Sequence, residues 1–80
     1  MTVQFIVLVD EKVGEFYLTD RGLLCVSKGR ERVLSPQDKV NLGPCGVVSA
    51  ADIVATWLRQ SNRTPEAQQA AEKFLNTAAL

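Results

Sequence analysis

Histidine is missing from this 80-residue chain. Its absence removes the commonest general base and, with it, the usual Ser-His and Cys-His nucleophile pairs. Cysteine is scarce: there are only two, Cys25 and Cys45, with no Cys-x-x-Cys spacing. A tetrahedral zinc site would therefore need unusual ligands, and no metal or cofactor is expected. Two cysteines in a cytosolic protein would stay reduced. Long apolar runs are also lacking, since the stretch from Phe5 to Val9 ends at Asp10. Neither a membrane span nor a secretory leader is read here, so the expected location is the cytoplasm. Charge of one sign is not in excess either. Nine basic and nine acidic side chains cancel, which disfavours a strongly basic nucleic-acid binder and an acidic mimic alike.

What is present suits one small folded domain. An apolar fraction of 46% and a charged fraction of 22% are those of a globular chain rather than a disordered tail. Eighty residues bury only a modest core. "TVQFIVLV", Thr2 to Val9, is rich in β-branched and aromatic residues and reads as a strand. Strict alternation would put Val3, Phe5, Val7 and Val9 on one face and Ile6 and Leu8 on the other. Both faces are then apolar, the pattern of a strand covered on each side. Short apolar runs follow, punctuated at Gly14, Gly22 and Gly29, and predict an antiparallel meander of about four strands over residues 1–34, with Cys25 in the core.

From Ser49 onward the period changes. Ser49 and Asp52 have the form of a capping box with the shorter acid, and Ala50, Ile53, Val54, Trp57 and Leu58 recur at helical spacing. This predicts a helix from Ala50 to Gln60 with Trp57 on its core side. Thr64 suits an N-cap and Pro65 the first helical position, and Ala67, Ala70, Ala71, Phe74, Leu75 and Ala78 form the apolar side of a second helix over 65–77. The fold class is therefore α+β: a β-meander, a connecting loop over 35–48, and a two-helix hairpin over 49–80 packed on one face of the sheet. A loop of that length is often functional or carries a short element of its own. "SPQD" could open one helical turn there, with Ser35 as its cap.

Three features are candidates for function. Cys45 lies in "GPCG" ahead of a helix start, where a helix dipole could activate a thiol. No cation is close in sequence and the presumed cap is four residues further on, so a structural role in a chain reversal is favoured. Charge forms the second feature. Residues 1–20 hold four acids against Lys12, a net of −3, and residues 21–34 hold four cations against Glu31, a net of +3. Charges of this kind are usually solvated or paired across a ladder. Lys28, Arg30 and Arg32, with Arg59 and Arg63 near the helix turn, are nonetheless the candidate partner-binding residues, for a protein or for phosphates. "GPCG" has no phosphate-cradling spacing, and the second helix presents Glu66, Gln68, Gln69, Glu72 and Lys73 outward, a poor recognition surface for DNA.

The third feature is a shortage of cover. Two short helices can shield one face of a four-stranded sheet, yet the first strand is apolar on both. The other face should meet the long loop, a second copy, or another protein. The leading expectation is a non-enzymatic protein-interaction module, a small regulator or inhibitor of a size common in phages and mobile elements, with a homodimer through the apolar sheet face as one form. The alternative is a small nucleic-acid-binding transcriptional regulator that uses the basic hairpin and helix pair.

Overall fold

The computed structural model describes residues 2–60 and 64–77, apart from the side chain of Cys45. Strands β1 (Val3–Asp10), β2 (Gly14–Thr19), β3 (Gly22–Ser27) and β4 (Arg30–Leu34) form a sheet in the order β1-β2-β3-β4, antiparallel throughout. Helices α1 (Ala50–Gln60) and α2 (Pro65–Asn76) follow. The α+β meander and helix pair are therefore present with nearly the expected bounds. Ala78, expected on the second helix, lies outside the described residues.

The core lies between the helices and one face of the sheet. Phe16, Leu18, Leu23 and Leu34 meet Ala50, Ile53, Val54, Ala71 and Phe74 in one buried cluster. Phe16 faces Cys25 across the ladder, and Leu18 faces Leu23, which faces Leu34, so these residues share the helix-covered side. Cys25 itself is half-buried, and partial burial raises its thiol pKa against the opposing pull of Arg32. Trp57 is half-buried too, tilted against Phe5 with ring centroids 5.4 Å apart.

Strand β1 departs from strict alternation. Register shifts occur between Val3 and Phe5 and between Ile6 and Leu8. Each β-bulge adds a residue and reverses the facing of those beyond it. Phe5 and Leu8 thus oppose Leu18 and Phe16 on the core side, while Val3, Ile6 and Val9 oppose Thr19, Tyr17 and Glu15 on the other side. The faces expected from period two are corrected accordingly: the open side is occupied every third residue.

Segment 35–48 is more than a connecting loop. It contains β5 (Lys39–Asn41) and a 3₁₀ turn over Gly43–Cys45, and β6 (Val47–Ser49) closes the hairpin with β5. Val40 and Val48 are paired in this hairpin and pack against the core cluster. Strands of three residues are too short for alternation to reveal them in the sequence. "SPQD" forms a turn rather than a helical start: Asp38 N–H donates to the Ser35 carbonyl at 3.0 Å, and Ser35 N–H donates to Asp38 Oδ2 at 2.8 Å.

That turn also begins α1. Ala50 N–H donates to the Asp38 carbonyl at 2.8 Å, Ala51 N–H to the Pro36 carbonyl at 2.9 Å, and Asp52 N–H to Ser49 Oγ at 3.1 Å. The first donors of a helix have no partner within it, and here a neighbouring turn supplies two of the acceptors. Thr64 caps α2 as expected, accepting from Ala67 N–H at 3.2 Å.

Candidate interaction face

The side of the sheet away from the helices carries a cross-strand row, Ile6–Tyr17–Leu24–Val33, one residue from each strand. A second row, Val9–Glu15–Val26–Glu31, runs beside it toward the β1–β2 and β3–β4 turns. Among these side chains Ile6 is 63% exposed, Val9 62% and Val33 42%, and Val3 at the other end of β1 is 49% exposed. Leu24 is buried between its neighbours Tyr17 and Val33. Adjacent strands lie about 4.8 Å apart, so the rows extend about 14 Å between the axes of β1 and β4. Scattered apolar side chains are ordinary on a surface; here they stand next to one another across the sheet.

Charge on this face has one sign. Glu15 and Glu31 lie in the same row, separated by Val26, and no lysine or arginine occupies a β1–β4 register position on that side. Tyr17 Oη donates to Glu15 Oε2, and that bond raises the tyrosine pKa. Along the chain Arg30 and Arg32 flank Glu31 but stand on the helix side of β4, and Lys12 and Lys28 belong to the turns.

The basic residues singled out by sequence are placed elsewhere. Arg30 opposes Ser27 and Arg32 opposes Cys25, which puts both on the helix side of the sheet. Lys28 is in the β3–β4 turn, and all three are exposed. Arg59 is exposed on α1, where Nη2 donates to Thr56 Oγ1 at 3.3 Å. Arg63 lies outside the described residues. No register pair of the four-stranded sheet joins opposite charges, so the pairing across the ladder expected for the basic and acidic blocks is not found. Arg30 and Arg32 and the apolar rows accordingly occupy opposite sides of the sheet. Sequence reasoning read the first strand as apolar on both sides but missed which side chains form the open face, because the bulges in β1 reassign them.

Cys45 ends the 3₁₀ turn, and its side chain lies outside the described residues. The N–H groups of Ala50, Ala51 and Asp52 at the start of α1 are already engaged, so these donors are committed to other acceptors. Three aspartates are likewise committed, Asp10 and Asp38 to local turns and Asp20 to Thr2 just ahead of β1. Backbone N–H groups hold the carboxyls of Asp10 (from Val13 and Lys12), Asp20 (from Thr2) and Asp38 (from Ser35) below their ordinary pKa. Among the described residues no three His, Cys, Asp or Glu side chains form a metal-holding group, and no helix is long and apolar enough to cross a membrane.

Among the described residues, grooves flank the core on two sides. One of about 160 Å³ runs between β1 and α1, lined by Val7, Leu8, Leu42, Ile53 and Trp57 among others. The other, about 830 Å³, lies beside α2 and has a mixed lining that includes Phe5, Asp20, Arg21, Glu66 and Lys73. Together these observations define a two-layer α+β domain with one sheet face open. No protein-family model matches the chain, and neither a characterised protein nor a solved structure does.

Proposed function

We propose that this chain is a non-enzymatic protein-interaction module, a small regulator or inhibitor, that binds through the open face of its sheet. The observation that carries this reading is the exposure of Val3, Ile6, Val9 and Val33 around the Tyr17–Leu24 row, on the side away from both helices. Burying such a patch stabilises a complex by roughly 25 cal/mol per Å² of apolar surface, before the costs of association are subtracted.

The test is a tagged pull-down from bacterial lysate, with and without nuclease and at two salt concentrations, comparing the parent chain with an Ile6→Ser/Val33→Ser variant. A protein retained by the parent at near-stoichiometric yield and lost by the variant supports the reading. Light scattering at several concentrations tests the homodimeric form. A second reading, nucleic-acid binding, is favoured by exposed Arg30 and Arg32, which have no acidic partner in register. It requires retained nucleic acid that is lost at high salt and in a Lys28→Ala/Arg30→Ala/Arg32→Ala variant.

A further inference from the structure

The open face has a definite size and charge, and both bear on its occupant. Six residues of strand extend about 20 Å. With a width of about 19 Å for four strands, the face offers roughly 400 Å² in projection. A stable pairing of two proteins buries about 800 Å² on each side. A contact confined to this face falls short of that for any occupant, so shape and charge rather than area decide between them. An α-helix 10–12 Å across fits within the width, and about 13 residues at 1.5 Å each match the length. The opposite face already packs against helices, and a helix on this side would complete a third layer.

Charge distinguishes the occupants further. Glu15 and Glu31 lie in one row near one end of the face, with no cation at its strand positions. A second copy aligned end for end would bring four carboxylates to the same end of the contact. Reversed, it would lay them over Val3, Thr19 and Gly22, where no cation stands at a strand position. Carboxylates removed from water without a cation or donors are costly. A helix with lysine or arginine at one end of its apolar stripe meets the acids with opposite charge and the Ile6–Tyr17–Leu24–Val33 row with apolar contact.

We propose that the open sheet face receives an amphipathic helix of a partner protein, with basic residues at the end of its apolar stripe that meets Glu15 and Glu31. This rests on the reading of that face as an interaction surface. The probe is a fluorescein-labelled 14-residue amphipathic peptide with a leucine stripe and lysines at one end, alongside a version with glutamates in their place. Binding is followed by fluorescence anisotropy with the parent chain, Ile6→Ser/Val33→Ser and Glu15→Gln/Glu31→Gln. Sedimentation at rising concentration reports self-association, and circular dichroism checks folding.

The expected result is binding of the lysine peptide about tenfold tighter than the glutamate peptide, a difference of about 1.4 kcal/mol. That preference should disappear in Glu15→Gln/Glu31→Gln, and binding should be lost in Ile6→Ser/Val33→Ser. Equal binding of the two peptides would overturn the charge-matched helix while leaving an interaction face in place. So would self-association that Ile6→Ser/Val33→Ser abolishes, which would make a second copy the occupant. If neither peptide binds and the chain stays monomeric, the helix inference falls, while the interaction reading stands or falls with the pull-down.

Discussion

Lys28 has φ of 52° and Gly29 φ of 77°, the paired positive values of a type I′ hairpin turn, where asparagine-glycine is preferred. Lysine gains nothing there from its side chain, and Lys28→Asn is expected to raise stability by about 0.5–1 kcal/mol, read as a higher denaturation midpoint. A lower midpoint would contradict the turn type. Gly14 is the opposite case. Its φ is 131°, and a Cβ there would run into the Val26 carbonyl oxygen, so Gly14→Ala should cost about 2 kcal/mol or more in the same assay. Cys25 offers a chemical check at this scale. Burial raises its pKa, which lowers the thiolate fraction at neutral pH. With Cys45 replaced by serine, alkylation of Cys25 should be slower in the folded chain than in the denatured one.

At the scale of elements, the two helices begin by different means. α2 relies on Thr64, whose hydroxyl accepts from Ala67 N–H, and on Pro65 at its first position. Thr64→Ala should cost about 1 kcal/mol, a drop of roughly 4–8 °C in Tm for a domain of this size. α1 uses Ser49 together with two carbonyls of the 35–38 turn. Ser49→Ala should therefore cost less than Thr64→Ala, because the neighbouring backbone acceptors remain. The same assay decides it, and an equal or larger loss would assign the start of α1 mainly to Ser49. The β5–β6 hairpin gains its place through Val40 and Val48 on the core, a contribution from burial rather than from the propensity of three-residue strands.

For the whole molecule, acid should be the weak side. Asp10, Asp20 and Asp38 have folded pKa values below the ordinary 3.8. Their ionised forms favour the folded state, and that stabilisation is present above pH 3.8 and lost as the pH falls through the lowered values. Unfolding midpoints measured from pH 2 to 6 should fall toward the acid end, and less steeply in Asp38→Asn. The core is small enough for one residue to matter: Phe16 is fully buried, and Phe16→Ala should cost about 3–5 kcal/mol. Domains are typically stable by only 5–15 kcal/mol, so that variant should lose a large share of the fold's stability, read as a lower denaturation midpoint. Ile6→Ser, on the open face, should change stability by no more than about 0.5 kcal/mol, as befits a side chain in water.

The four strands, both helices and the caps at Ser49 and Thr64 were legible in the sequence because each depends on neighbours a few residues away. Glycines at turns, hydroxyls at caps and apolar spacing of two or four residues act locally. The sequence by itself also determined that strand one is apolar on both sides, and hence that two helices would leave something uncovered. Tertiary structure alone decided which residues those are. The bulges in β1 arise from its register with β2, and they send Val3, Ile6 and Val9 to one side and Phe5 and Leu8 to the other. Pairing in the sheet likewise put Arg30 and Arg32 opposite the acidic apolar face. Docking of residues 35–38 onto the start of α1 joined groups more than ten positions apart. Contacts over such distances depend on how elements pack, and no window of sequence contains both partners.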